Sequence, residues 1–343
     1  MTLIEDKSAY PYITVFKKEP FRSFVFKRNS EIGRFYISRY NQVIEYYNHF
    51  NKKLLSNPSL NLENVFWFVL LKKYLKENLE EEGKKEIYDF VLKCESYVGD
   101  KLGFIFSPYD NKNQPDIWST FFALSILKLI GQLNNFKRIR GSETTNQLIR
   151  NFVFAHKKGK KFFHCLQKDC EICKKTSKER TLYFVFEILT ILNVDLRLLE
   201  NIRNYVGDLK KDPSLIFKLL CLKFLDSQLE VDEKVLQYLL QYQKENGGFS
   251  FKKINGRINT TFWVVLALDN YSWLIDYNQV GIFSFINSKL FEIVNSPDNR
   301  TTINLMEITK IIILLSIVWK KFIQGMERYI FKRLEQEGYV ELG

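Results

Sequence analysis

The chain has 343 residues, of which 46% are hydrophobic and 15% aromatic, with 30 Phe and 18 Tyr. That composition excludes a disordered chain and is enough to bury a large core, or to line an apolar cavity with rings. The formal net charge of +12 points to an anionic partner. The lysines are spread along the chain and no nucleic-acid motif is present, so a field that favours phosphates is the narrower expectation.

The N-terminal stretch MTLIEDKSAYPYITVFKK lacks the apolar segment of a signal peptide. The most apolar run, IIILLSIVW over 311–319, is nine residues long and too short to span a bilayer. A cytoplasmic protein without a transmembrane segment is expected. Residues 1–60 carry no clear repeat and are read as an N-terminal extension. Residues 61–343 are read as one repetitive helical domain.

Six segments are apolar around most of their circumference: 63–75, 116–131, 180–192, 212–225, 259–268 and 301–319. Their length and their scarcity of internal Gly and Pro favour helices buried on nearly all sides. In the fourth, Asp212-Pro213 is expected to give a capped start. Between them lie segments with one apolar stripe at i, i+3, i+4 spacing. Ile87, Phe90, Val91 and Cys94 form the first stripe, and Leu148, Ile149, Phe152 and Val153 the second. Leu198, Leu199, Ile202, Tyr205 and Val206 follow, then Val235, Leu236, Leu239 and Leu240. Ile282, Phe285 and Ile286 make the next, and Phe322, Ile323, Met326 and Ile330 the last. About six inner and six outer helices are the number that can close into an all-α ring, an α/α toroid; the competing arrangement is an open solenoid.

Three outer helices run into related loops, the clearest being NGGFSFKKINGR over 246–257. Gly247 is expected to cap the preceding helix in a left-handed conformation, with Phe249 folding back onto the core. Thr260 or Thr261 is expected to cap the helix that follows. That helix would present its positive end beside Lys252, Lys253 and Arg257, which suits an anion. Solvated loop lysines are the plainer reading.

Gln243, Gly247, Gly248, Phe249, Asn255, Gly256, Arg257, Thr261, Phe262, Trp263 and Leu268 form a pattern that resembles the protein prenyltransferase β subunits and the related squalene and terpene cyclases. Gly103, Phe104, Ser119, Thr120, Ala123 and Leu124 make a weaker copy. The resemblance covers roughly residues 60 to 335. It implies the toroid and an aromatic-lined central funnel for an isoprenoid diphosphate, with Lys253, Arg257 and Trp263 as substrate-binding residues. It also implies an α subunit and a small-GTPase-like or other protein substrate whose cysteine accepts the prenyl group. A non-catalytic toroid for a protein or lipidated partner, and a terpene cyclase, are the alternatives. Catalytic residues are not assigned. In that family an Asp-x-Cys pair at the start of one inner helix and a His on the next hold zinc. The matching stretch NGRINTTFW has neither Asp nor Cys, and SPDNRTTINLMEIT has no His. The aspartates nearest to a cyclase acid, Asp110 and Asp116, lack the cyclase pattern.

The chain instead clusters its sparse metal ligands elsewhere. His164, Cys165, Cys170 and Cys173 form HCLQKDCEIC, with His156 eight residues earlier as an alternative ligand. Three thiolates and one imidazole are a tetrahedral zinc set, and a closed shell favours a structural staple over a site for a substrate thiol. Reduced loop cysteines and a redox pair are the other readings. Lys160, Lys161, Lys168, Lys174 and Lys175 are expected to lower the thiol pKa values. Cys94 and Cys221 are expected in the core, and His49 at the surface or its boundary. Glu187 and Glu307, inside apolar helices, need a partner, with Arg180 and Lys310 as candidates.

Overall fold

Helices follow one another along the chain, joined in three places among the described residues by short antiparallel hairpins. The computed structural model describes residues 60–74, 79–109, 114–167, 170–175, 178–209, 212–226, 230–252, 256–272, 279–295, 306–307, 309–315 and 317–318. Two compact units divide the chain, Met1–Leu229 and Glu230–Gly343.

The first unit contains α1 (Leu62–Tyr74), α2 (Glu81–Lys93), β1 (Glu95–Tyr97), β2 (Leu102–Phe104), α3 (Ile117–Leu129), α4 (Leu133–Arg138) and α5 (Ser142–Ala155). It continues with β3 (Lys157–Lys158), β4 (Lys161–Phe162), α6 (Glu171–Lys175), α7 (Lys178–Ile191), a 3-10 turn (Leu196–Ile202), α8 (Arg203–Gly207) and α9 (Leu215–Leu225). The second unit contains α10 (Glu233–Leu240), α11 (Ile258–Asn270) and α12 (Gln279–Asn295), and residues 309–315 are also helical. Among the described residues no helix is long and apolar enough to cross a membrane.

The segments that are apolar all round become inner helices. In the first unit α1 packs on α3, α3 on α7 and α7 on α9. The contact between them is aromatic. Phe66 of α1 lies 5.6 Å from Phe121 and 5.3 Å from Phe122 of α3. Phe121 stacks on Phe184 of α7 at 4.6 Å, and Phe186 stacks on Phe224 of α9 at 5.5 Å. Offset rings of this kind add to the burial term. In the second unit α11 buries every residue from Thr261 to Leu268, and Ile311, Ile312, Ile313 and Leu314 are also buried.

The outer helices bury one stripe each. Ile87, Phe90 and Val91 of α2 are buried, and so are Ile149, Phe152 and Val153 of α5, Leu236 and Leu239 of α10, and Ile282, Phe285 and Ile286 of α12. Leu148, Val235 and Leu240 lie at the edges of their stripes and are half-buried. Leu198 departs from the expectation and is 51% exposed. Its segment winds as a 3-10 helix, whose three-residue turn keeps Leu199 and Ile202 inward but rotates Leu198 out. Phe322, Ile323, Met326 and Ile330 lie outside the described residues.

The three loops contain hairpins rather than simple helix caps. β1 pairs with β2, and β3 with β4, turning through Gly99 at φ +63° and Gly159 at φ +60°. After α10 the chain makes a third hairpin, with Ser250 N donating to Tyr242 O at 3.1 Å and Lys244 N to Gly248 O at 2.8 Å. Gly247, at φ +82°, closes its turn by donating to Lys244 O. α10 itself ends at Leu240 with Gln241 as its right-handed C-cap, so Gly247 does not end that helix.

The paired glycines are explained by close backbone approach. A Cβ on Gly247 would sit 1.8 Å from the carbonyl oxygen of Gly281 in α12. One on Gly248 would meet the Phe285 ring at 2.7 Å, and one on Gly256 would meet the Gly248 backbone at 2.4 Å. Gly103 repeats the arrangement in the first unit, where a Cβ would meet the Phe152 ring at 2.5 Å. In both units a glycine next to a buried Phe lets the following outer helix lay a ring against the hairpin.

Of the two acids inside apolar helices, Glu187 finds a partner other than the one expected and Glu307 is at the surface. Tyr183 Oη donates to Glu187 Oε1 at 2.6 Å, and burial pushes the Glu187 carboxyl up to about 8. Glu307 is exposed. Lys310, buried, donates to Asn259 Oδ1 at 2.7 Å. Arg180 lies over the Trp118 ring at 4.3 Å. Cys94 and Cys221 are core residues, both fully buried. His49 lies outside the described residues. Asp212 accepts from Ser214 N at 2.7 Å in a turn that precedes α9, and the helix proper begins only at Leu215.

Candidate metal centre and helix-terminus site

The loop that follows β4 brings four sequence-predicted ligands together. β4 delivers the chain to His164 and Cys165, and Cys170 and Cys173 lie at and within the short helix α6. One ligand atom from each of His164, Cys165, Cys170 and Cys173 lies within 4.8 Å of every other. Cys165 Sγ and Cys173 Sγ are 3.8 Å apart. Two thiolates on one zinc, each about 2.3 Å away across a tetrahedral angle, stand about 3.8 Å apart, whereas a disulfide needs about 2.05 Å. His164, Cys165 and Cys173 are buried and Cys170 is half-buried.

The imidazole is oriented for this role. His164 Nε2 lies 3.1 Å from Asp116 Oδ1, while Nδ1 is buried with no hydrogen-bond partner among the described residues. Burial acts to lower the His164 pKa, but the Asp116 carboxylate and Cys170 outweigh it and hold it above the ordinary histidine value. The donor set, the sulfur spacing and the orphaned Nδ1 fit a metal ion that prefers soft ligands.

His156 is not brought into this group. Its Nδ1 donates to Phe152 O at 2.8 Å and its ring packs against Phe152 at 4.5 Å. Burial holds its pKa below the usual value.

The expected lowering of the thiol pKa values by lysine does not hold at Cys165, which burial and its neighbour Cys170 push up to about 12. The reason is where the lysines point. Lys174 pairs with Glu171 at 3.3 Å, Lys160 and Lys161 are exposed, and Lys178 donates to the Cys173 carbonyl and lies over the Phe163 ring at 4.8 Å. Lys168 lies outside the described residues.

Asp116 is the residue that motif reading undervalued. It is the N-cap of α3, with Oδ1 accepting from Trp118 N at 2.8 Å and Ser119 N at 2.9 Å, and Oδ2 from Ser119 Oγ at 2.6 Å. An Asp directly before an apolar run is a cap signal in sequence. Its bond to His164 is a tertiary contact and leaves no local trace.

The same turn recurs in the second unit with a different residue at the cap. In the first, Phe104 N donates to Thr120 Oγ1 at 3.2 Å, Asp116 N to Phe104 O at 3.2 Å and Thr120 N to Asp116 O at 3.0 Å. In the second, Phe249 N donates to Thr261 Oγ1 at 2.9 Å, Arg257 N to Phe249 O at 3.0 Å and Thr261 N to Arg257 O at 2.9 Å. Arg257 therefore stands where Asp116 stands. Its exposed side chain makes no cap bond, and Thr261 is turned inward to the hairpin instead of capping α11. Trp263, one turn into α11, is 4% exposed and meets Phe262 edge-on at 5.5 Å. Lys253 lies outside the described residues.

The prenyltransferase α/α-toroid domain model matches residues 38–212 and 214–338. Among solved structures, Candida albicans protein geranylgeranyltransferase-I complexed with GGPP superposes with a TM-score of 0.55 at 17% identity, covering 81% of this chain and 91% of that one. At that identity the likeness shows the fold. A variant of the type II terpene cyclase MstE from Scytonema, in complex with geranylgeranyl dihydroxybenzoate, gives a TM-score of 0.49 at 10% identity over 82% of this chain and 98% of that one. Comparison with curated protein sequences finds no match. The inner and outer helices, the Gly-Phe turns and the extent of the match agree, and the chain belongs to the prenyltransferase α/α-toroid family.

Proposed function

We propose that this protein binds an isoprenoid diphosphate, with the anionic head at the N-terminus of α11 and the lipid against apolar residues of that helix. The observation that carries this reading is the cap position of α11. An exposed arginine replaces a capping side chain there, in a chain of the prenyltransferase family. The first N–H groups of a helix have no intrahelical partner and attract anions. Arg257 adds a full charge, Lys253, outside the described residues, is proposed as a second cation, and Trp263 is proposed to begin the apolar wall. Transfer of the prenyl group to a protein cysteine is the enzymatic form of the reading. It brings with it an α subunit, a small-GTPase-like or other protein substrate, and a cytoplasmic location.

The test is calorimetric titration of geranylgeranyl and farnesyl diphosphate into the wild type and Arg257→Ala. Saturable binding, weakened about 10- to 100-fold by the substitution, is expected for the loss of one charged hydrogen bond. Absence of binding to the wild type would remove the reading.

The metal is assigned to His164, Cys165, Cys170 and Cys173, and zinc is the ion that three thiolates and an imidazole suit best. When bound there, zinc would supply a cross-link between the segment after β4 and α6. A non-catalytic toroid that holds a lipidated or helical partner is the second reading. It is favoured by NGRINTTFW, which offers neither the aspartate nor the cysteine of the family's zinc site. Cyclase chemistry draws no support from Asp116, because both of its oxygens are already engaged in capping α3 and holding His164.

A further inference from the structure

We infer that Asp116 is the positioning residue of the His164–Cys165–Cys170–Cys173 metal centre, and that through it the metal is tied to the N-terminus of the inner helix α3. The inference rests on the metal assignment above and goes beyond it in naming what fixes the fourth ligand.

Three consecutive residues at the start of α3 hold His164. Asp116 Oδ1 accepts from its Nε2 at 3.1 Å, Ile117 N donates to its carbonyl oxygen at 3.0 Å, and the Trp118 ring stands edge-on to the imidazole at 4.9 Å. With its proton on Nε2, the ring presents the lone pair of Nδ1 to the sulfurs. A buried carboxylate that accepts from the far nitrogen of a metal-binding histidine fixes both tautomer and ring orientation.

The carboxylate is not demanded by the turn. The equivalent turn in the second unit keeps the same three bonds with Arg257 at that position. What distinguishes the first-unit turn is the histidine beside it. Asp116 is 6% exposed and is shared between the helix N–H groups and the imidazole, so removing or adding the metal acts on the helix start. Metal loading and the order of α3's first turn are therefore linked.

Asp116→Asn separates the two jobs. Asparagine caps helices as well as aspartate does, so its oxygen keeps the bonds from Trp118 N and Ser119 N while the charge facing His164 is lost. Zinc affinity, read by competition with a chromophoric chelator, should fall about 10- to 100-fold, the usual cost of losing such a partner. In a His164→Cys background the fourth ligand no longer needs orienting, and Asp116→Asn should have no further effect on zinc. A loss that persists in that background would show that Asp116 acts on the fold and not through His164, and would overturn the inference. So would a zinc affinity unchanged by Asp116→Asn. A measurement on the unaltered protein stands beside the variants: long-range proton–nitrogen spectra of the zinc-loaded wild type should show Nδ1 bound to metal and a proton on Nε2. Metal bound at Nε2 overturns the inference while leaving the metal assignment standing. A wild type that takes up neither zinc nor cobalt overturns both.

Discussion

The turn that enters α3 and the turn that enters α11 are built from the same bonds and carry opposite charges. In each, a hairpin Phe donates its N–H to an inward threonine, accepts from the cap residue, and sits beside a glycine pressed against a ring of the next outer helix. Asp116 then seals its helix with its own oxygens. Arg257 leaves its helix start without a side-chain cap. The repeat therefore fixes the backbone, and a single side chain decides whether the helix end is closed on itself or left without a side-chain cap.

A large effect should come from the glycines that make the turns possible. Gly247→Ala forces a left-handed residue and a Cβ into the Gly281 carbonyl, and should cost about 3 kcal/mol or more, measured by chemical denaturation. Gly103→Ala meets only a ring that can shift and should cost about 1–3 kcal/mol. Equal losses at the two sites would break the comparison.

A second contrast lies in the buried acids. Asp116 accepts from two backbone N–H groups and the Ser119 hydroxyl, whereas Glu187 accepts from the Tyr183 hydroxyl and burial raises its pKa to about 8. Because the folded pKa lies above the unfolded one, Glu187 holds a proton in the folded state that it loses in the unfolded state. Stability relative to Glu187→Gln should therefore fall as pH rises from the ordinary glutamate range to about 8, by up to about 1.4 kcal/mol per unit. Below and above that window the difference should be flat. A difference that is constant from pH 4 to 9 would contradict the burial argument.

Capping gives the next effect. Asp116→Ala should destabilise the metal-free protein by about 0.5–2 kcal/mol, while Arg257→Ala should change stability by less than about 0.5 kcal/mol. Thermal melts of the two variants side by side would show whether the caps differ as described.

Much of this plan is legible in the sequence. The inner helices are marked by all-round apolarity, which survives any register, and stripes such as Ile87, Phe90 and Val91 mark the outer ones. The metal cluster is legible because His and Cys are scarce elsewhere. Strands of two or three residues leave no periodic signal, so β1 to β4 read as loops. Leu198 misleads because the stripe assumes 3.6 residues per turn where the chain winds at three. The bond from Asp116 to His164 joins residues far apart in sequence, and only packing reveals it.

Exchanging the cap charge tests the comparison most directly. Arg257→Asp makes the α11 turn resemble the α3 turn. Geranylgeranyl diphosphate should be titrated into the wild type and this variant, with a thermal melt of each. A sealed helix end should raise stability by about 0.5–2 kcal/mol, and the added negative charge should weaken diphosphate binding by more than Arg257→Ala does. Binding as tight as in the wild type would contradict the assignment of an anion site to the start of α11.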